Sequence, residues 1–162
     1  MALKPDRKYH LGTDISYFMN ETAERGGVVV FSTGGSGVAM DDPNAVVAVP
    51  TAVSGTIVAG VLLNDVVDLD LTRQHLNQHQ DEVQKGGKVT LLRQGEITTN
   101  MIATGVTPTI GQPAYYDSSG DFTNVATSDN GRPQTGNLSA VVGTFKSVKN
   151  ADGYAKIDVN IQ

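Results

Sequence analysis

The chain has 162 residues, a formal net charge of −5 and no cysteine. The absence of cysteine excludes a disulfide scaffold, a thiolate nucleophile and thiolate metal sites. The negative charge argues against an electrostatic footprint for nucleic acid or for an anionic membrane surface, and no apolar run approaches the ~20 residues that a membrane span needs. The length predicts one domain, and the 18 glycines indicate many turns between short strands.

The first 25 residues predict an arm that precedes a β-rich domain over residues 26–162, with a separate lobe at residues 26–84 as an alternative. Residues 1–8 show no period that would bury a face, which is typical of a loose terminus or of a segment that orders on a partner. Aromatic side chains follow closely, at Tyr9, Tyr17 and Phe18. Either burial against the body of the fold or a partner surface accounts for their concentration.

Three segments predict strands in the first half of the chain. Residues 26–33 form an apolar run without alternation, which indicates a strand with both faces covered. Residues 45–49 predict a second short strand, which Pro50 ends. Residues 67–71 alternate strictly between apolar and acidic side chains and predict a half-buried strand.

Residues 72–84 are polar and predict a short helix, with an ordered loop as the alternative, before a stop at Gly86-Gly87. His75 and His79 stand four residues apart, which on a helix puts both imidazoles on one face, as in a zinc or nickel site. Further carboxylate ligands are available nearby, at Asp68, Asp70, Asp81 and Glu82. Because residue count and not geometry supports this site, a solvated polar face is the favoured interpretation, and no metal or other cofactor is predicted.

Residues 86–99 predict a β-hairpin at the centre of the chain. The pattern consists of an apolar, β-branched run, a glycine-containing turn at residues 93–96 and a short return strand. Residues 101–106 predict a further strand. No catalytic constellation of side chains lies in or near these elements, so the sequence predicts a protein that is not an enzyme.

The last third of the chain predicts two more strand pairs. Residues 111–117 and 122–123 flank a turn at residues 118–121, and residues 127–137 predict an exposed loop. A final hairpin spans residues 139–161, with its turn at residues 150–153.

In the final hairpin, the apolar residues of the first strand are Val141, Val142, Phe145 and Val148. In the second strand, Ile157, Val159 and Ile161 share one face, which is predicted to point inward. The predicted outward positions of the second strand are Lys156, Asp158 and Asn160.

Several short motifs follow one another in the second half of the chain. A Gly-Gly hairpin with a basic–acidic turn comes first, and Gly111-Gln-Pro-Ala-Tyr-Tyr-Asp with a Ser-Ser-Gly turn comes second. Ala140-Val-Val-Gly-Thr-Phe and Asn150-Ala-Asp-Gly-Tyr-Ala-Lys-Ile-Asp-Val complete the series. In this order, over residues 85–162, they resemble the capsid decoration (cement, or head-stabilising) proteins of tailed bacteriophages.

The resemblance implies a mainly β fold: a small β-barrel or β-tulip of short antiparallel strands, with at most one short helix and an extended N-terminal arm. It implies a homotrimer that binds the major capsid protein on the outer surface of the expanded head, at three-fold and quasi-three-fold sites, and stabilises the virion. In such proteins the arm commonly adds a strand to the capsid protein's sheet. The resemblance implies synthesis in the host bacterial cytoplasm. On the basis of the net charge of −5, neither nucleic acid nor a membrane is predicted as a partner.

The residues expected to contact the capsid lie in the arm and in the aromatic segment after it. They are Leu3, Lys4, Pro5, Arg7, Tyr9, Tyr17 and Phe18. One alternative function is a head-fibre, tail-associated or carbohydrate-binding β-module, although the chain has no tryptophan to line a sugar-binding groove. A metal-dependent enzyme that uses His75 and His79 is the other alternative.

Overall fold

The computed structural model describes residues 9–34, 45–65, 82–126 and 140–161, and every regular element within them is a β-strand. In chain order the strands are β1 (Tyr9–Asp14), β2 (Phe18–Met19), β3 (Ala23–Glu24), β4 (Val28–Gly34), β5 (Ala45–Ala48), β6 (Val58–Asp65), β7 (Glu82–Val83), β8 (Val89–Thr99), β9 (Pro113–Tyr116), β10 (Phe122–Thr123), β11 (Gly143–Phe145) and β12 (Ala155–Asn160). The predicted mainly β class is therefore confirmed. No helix in the described residues is long and apolar enough to cross a membrane.

Ten of these strands belong to one sheet, and β3 pairs with β7 in a second, two-stranded sheet. The order in the large sheet is β10-β9-β11-β12-β8-β6-β4-β5-β2, and β1 joins it through β8. Within the described residues, the two ends of this path, β10 and β2, do not pair with each other. The expected barrel is therefore not closed, because the sheet continues past β8 into strands that cover a second core.

Strand β8 lies at the centre of the sheet and uses both of its edges. Leu91 and Leu92 pair with both β1 and β6, whereas Gln94 and Glu96 pair with both β1 and β12. Because a strand has only two edges, β6 and β12 share one edge of β8 and β1 occupies the other. The strand therefore joins the N-terminal and C-terminal parts of the sheet.

The predicted hairpin at residues 86–99 is wrong, because β8 runs straight through the predicted turn. Gly95 has a φ of 145°, and the register with β1 skips Arg93. Both features mark a β-bulge, which uses the same glycine-containing sequence as a tight turn. The bulge reverses the alternation of side chains: Leu92 and Ile97 enter the same core, although residues five apart in a regular strand face opposite sides.

The sheet separates two apolar cores. The first core contains buried side chains of β4, β6, β8, β9, β10, β11 and β12. The second core contains buried side chains of β2 to β8. In β4, Val28 and Val30 enter the first core and Val29 enters the second. The prediction of a strand with both faces covered is therefore confirmed, as is the short strand β5 that follows it.

The two C-terminal strand pairs are confirmed. Strands β9 and β10 pair antiparallel, with Phe122 opposite Tyr116. Strands β11 and β12 also pair antiparallel, with Phe145 opposite Ile157, and the turn between them is closed by a 3.0 Å hydrogen bond from the Gly153 N–H to the Asn150 carbonyl.

The first strand of the final hairpin is shorter than the predicted residues 139–149, because β11 extends only from Gly143 to Phe145. Of its predicted apolar residues, Val142 and Phe145 are fully buried, whereas Val141 and Val148 are 55% and 57% exposed.

Two other predicted elements are also corrected. Residues 101–106 form no strand; Ile102 makes one isolated bridge to Phe122, and a turn follows in which Gly105 has a φ of 81°. The end of the predicted helix is wrong, because Glu82 and Val83 form β7. Residues 72–81, the strand predicted at residues 67–71 and the loop predicted at residues 127–137 lie outside the described residues.

The turn between β9 and β10 packs directly on β4. The Val28 N–H donates a 2.8 Å hydrogen bond to the Gly120 carbonyl. A Cβ atom at Gly120, whose φ is 80°, would lie 2.6 Å from the Val28 carbonyl oxygen. Glycine at this position therefore allows the C-terminal strand pair to approach the N-terminal part of the sheet.

Candidate functional site

The predicted contact residues of the arm lie largely outside the described residues. Leu3, Lys4, Pro5 and Arg7 precede the first described residue. Tyr9 opens β1, where its backbone pairs opposite Glu96. The chain therefore enters the described part beside the centre of the large sheet.

Tyr17 packs against the second core, and Phe18 follows it at the start of β2. Both side chains are half-buried. The Tyr17 ring packs against Phe31 with centroids 5.0 Å apart and planes at 60°, and the Lys88 ammonium lies 5.8 Å from the centroid of the Phe18 ring. Tilted aromatic pairs and cation–π contacts both hold rings in place. Tyr17 is thus held against the core and Phe18 lies beside Lys88, and both keep part of their surface accessible.

The outer face of β8, β11 and β12 carries charged side chains. Lys156 lies 2.7 Å from Glu96, and Lys146 lies 3.4 Å from Asp158, measured between ammonium nitrogen and carboxylate oxygen. All four side chains are between 30% and 44% exposed, so each pair adds less than about 1 kcal/mol to stability. The outward alternation predicted for β12 is confirmed by its burial pattern.

The negative charges of Asp117, in the β9–β10 turn, and of Glu24, in β3, act on the half-buried carboxyl group of Asp121. Burial raises the pKa of Asp121 above its ordinary value of 3.8, and the negative charges of Asp117 and Glu24 raise it further. Lys149 partly offsets these effects by lowering the pKa. The Asp117 carboxylate also accepts hydrogen bonds from the Ser119 and Asp121 N–H groups, at 2.8 and 3.1 Å. The hydrogen bonds to Asp117 therefore hold the turn, although the charges of Asp117 and Glu24 disfavour the ionised form of Asp121.

The proposed metal ligands are not brought together in the described structure. His75 and His79 lie outside the described residues, as do Asp68, Asp70 and Asp81. Glu82 is exposed at the start of β7. Within the part of the chain that the structure describes, no three histidine, aspartate or glutamate side chains are grouped as a metal site would require.

Ile110 is one of several exposed apolar residues that the sequence pattern does not single out. It is 71% exposed and precedes Gly111, whose φ is 88°. The strand predicted from Gly111 is wrong at its start, because β9 begins only at Pro113. A glycine followed two residues later by proline is compatible with both a strand start and a turn, so the pattern did not distinguish them.

Residues 11–160 match the family model described as structural cement protein (E217 gp24/Pam3 gp6). Because the match spans nearly the whole chain, the protein belongs to this family of phage structural cement proteins. No curated protein matches the sequence.

The family assignment confirms the resemblance and extends it toward the N terminus. The motifs indicated residues 85–162, whereas the family match begins at residue 11. The protein therefore has a structural, capsid-stabilising role and is part of the virion capsid. Five of the seven predicted contact residues precede the matched region: Leu3, Lys4, Pro5, Arg7 and Tyr9.

Proposed function

We propose that the protein binds as a homotrimer to the outer surface of the expanded phage head, at three-fold and quasi-three-fold positions. The observation that supports this function is the family match over residues 11–160. A trimer on a three-fold site engages several capsid subunits at once, so each modest contact raises the effective concentration of the others. Preferential binding to the expanded lattice stabilises it by about 2.7 kcal/mol per site at a hundredfold excess over Kd.

We propose that the major capsid protein is contacted through the N-terminal arm, with Tyr17 and Phe18 as a second contact. The edges of the large sheet support this assignment. Strands β2 and β10 have two residues each, and β1 has two register shifts. Short edge strands and bulges discourage pairing with another chain. Strand addition to the capsid protein is therefore better supplied by residues 1–8 than by the described edges.

Co-sedimentation with purified phage heads tests this function. Expanded, undecorated heads and compact precursor heads are each mixed with increasing amounts of protein. We expect saturable binding to expanded heads and none to precursor heads, with a stoichiometry of three chains per site. Absence of binding to both kinds of head, or equal binding to both, would contradict the proposal.

A further inference from the structure

The part of β8 that follows the bulge is accessible from one face of the sheet. On its inner face, Ile97 enters the first core, as does Ile157 of β12. On its outer face, Glu96 lies directly opposite Asp158 of β12, which in turn lies opposite Thr144 of β11. Residues opposite each other in an antiparallel ladder share a face of the sheet. A partner that approaches this part of the sheet therefore meets the outer face.

The charged side chains of the outer face are sorted by sign. Two carboxylates, those of Glu96 and Asp158, are cross-strand neighbours and form an acidic row. Two ammonium groups form an adjacent basic row, because the Lys146 N–H donates a 2.7 Å hydrogen bond to the Lys156 carbonyl and sets these residues opposite each other. All four side chains are between 30% and 44% exposed. The outer face therefore presents a stripe of negative charge beside a stripe of positive charge.

This arrangement is unfavourable for the isolated sheet. Like charges directly opposite each other in a ladder are destabilising, whereas opposite charges are stabilising. The ion pairs Lys156–Glu96 and Lys146–Asp158 run between the two rows and offset part of the repulsion. An exchange of Glu96 and Lys156 would set opposite charges at both cross-strand positions. The sorted rows therefore suit recognition by a partner surface better than they suit the stability of the sheet.

The N-terminal arm begins beside the same part of β8. The register of β1 moves from Leu91, opposite Asp14, to Glu96, opposite Tyr9. The arm of residues 1–8 is therefore attached next to the acidic row, and not next to the part of β8 in which both faces are buried. Since an extended chain spans at most about 3.5 Å per residue, a capsid subunit bound by the arm lies within about 28 Å of this point.

We infer that the outer face of β8, β12 and β11 lies against the major capsid protein, whose surface there carries positive charges facing the acidic row and negative charges facing the basic row. This inference rests on the proposed function and adds a contact to the arm, Tyr17 and Phe18. The capsid protein is the occupant because the arm, its proposed anchor, is attached at the edge of this face. Complementary charge of this kind fixes the orientation of a docked partner and disfavours partners with another pattern.

A charge exchange tests the pattern, with Glu96→Lys and Lys156→Glu combined in one protein. The exchange keeps the net charge and relieves both like-charge contacts, so we expect a melting temperature at or above that of wild type. We expect an affinity for expanded heads at least about tenfold lower, because each row then carries both signs. Glu82→Lys combined with Lys85→Glu is the matched control, since both residues are exposed and Glu82 also lies opposite a carboxylate, that of Glu24. The control should stay within about twofold of wild type.

A bulky side chain tests the location independently of charge. Thr144 is half-buried on the outer face, between Asp158 and Pro113 in the ladder. Thr144→Trp should lower the affinity for expanded heads at least about tenfold, because the indole ring would hold the two surfaces apart. Its oligomeric state by light scattering should be unchanged. Thr104→Trp is the matched control, because Thr104 is exposed in the turn at residues 103–106, and its affinity should stay within about twofold of wild type.

The outcomes separate this inference from the proposed function. Wild-type head binding by Thr144→Trp would overturn the inference and leave the proposed function standing. Wild-type binding by the charge exchange would overturn the complementary charge pattern. A loss of self-association in Thr144→Trp would also overturn the inference, by assigning the outer face to contacts between copies. Failure of the wild-type protein to bind heads would instead overturn the proposed function.

Discussion

The two halves of β8 are covered differently, although they form one strand. Before the bulge, Leu91 enters the second core and Leu92 the first, so both faces are buried. After the bulge, Ile97 enters the first core, whereas Glu96 lies on the charged outer face, where it pairs with Lys156. The first half lies inside the molecule and the second half forms a surface. The bulge at residues 93–95 therefore marks the boundary between interior sheet and exposed sheet.

The largest expected effects separate these two halves. Leu91→Ala and Leu92→Ala should each lower the free energy of unfolding by about 3 kcal/mol, because each leaves a cavity in a different core. Glu96→Ala, on the outer face, should cost less than about 1 kcal/mol. Denaturant unfolding measures all three. A cost below about 1 kcal/mol for Leu91→Ala would contradict a second core on that face.

The β11–β12 pair provides a second test of the exposed half of the sheet. Phe145 and Ile157 are fully buried and directly opposite each other. Phe145→Ala and Ile157→Ala should each cost on the order of 3 kcal/mol. Since the two side chains share one site, the double variant should depart from additivity by about 0.5 kcal/mol or more. Losses below about 1 kcal/mol for both single variants would show that the inward face is assigned incorrectly.

The contact between the N-terminal and C-terminal parts can be tested at two glycines with the same backbone conformation. Gly120 and Gly105 have φ values of 80° and 81°. A Cβ atom would meet the Val28 carbonyl at Gly120 but nothing within 4 Å at Gly105. Gly120→Ala should therefore destabilise the protein by about 1–3 kcal/mol more than Gly105→Ala. Equal melting temperatures for the two variants would show that the β9–β10 turn does not pack on β4.

A smaller effect is expected where the same turn meets β3. The raised pKa of Asp121 means that the fold favours its protonated form. The stabilisation that the protonated Asp121 carboxyl group provides is fully present below the pKa of this group in the unfolded chain. It is lost as the pH rises through the higher pKa of the group in the folded protein. Asp121→Asn should therefore be more stable than wild type at neutral pH, by less than about 1 kcal/mol, and the difference should shrink on acidification.

Asp152→Asn is the control for this pH dependence, because Asp152 is exposed in the turn before β12. Denaturant unfolding at several pH values compares both variants with wild type. Identical pH profiles for Asp121→Asn and wild type would show that the repulsion among the three carboxylates has no effect on stability.

The smallest effect on stability is expected for the arm. Deletion of residues 1–8 should leave the melting temperature and the oligomeric state unchanged, because the deleted segment precedes every described strand. Its affinity for expanded heads should fall, since the proposed strand addition would be lost. Unchanged attachment of the truncated protein would show that the arm is not the anchor, and would leave Tyr17 and Phe18 among the remaining proposed contacts.

Local patterns in the sequence are sufficient to predict a strand when each of its faces is either buried or exposed along its whole length. The unbroken apolar run gave β4, and the alternation of Lys156, Ile157 and Asp158 gave β12. The bulge in β8 could not be distinguished from a turn, because both conformations favour the glycine at position 95. The pairing of β1 with β8 joins segments that are far apart in the chain. The periodicity of one segment does not indicate which distant segment it pairs with.

Among the candidate contact residues, some features are evident from the sequence and others depend on the tertiary fold. The aromatic residues Tyr17 and Phe18 stood out by composition, and both keep exposed surface. Ile110 does not stand out in the sequence, because its exposure depends on the turn that Gln112 holds through hydrogen bonds with Thr109 and Asn124. These hydrogen bonds form only in the folded protein, and an isoleucine between threonine and glycine in the sequence does not indicate them.

The most direct test of the account is the heat stability of expanded, DNA-filled heads with and without the protein. Undecorated heads are heated alone, with saturating wild-type protein, and with the protein lacking residues 1–8 at the same concentration. We expect the wild-type protein to raise the temperature at which DNA is released, and the truncated protein to raise it less. Release at the same temperature with and without saturating wild-type protein would contradict the capsid-stabilising role.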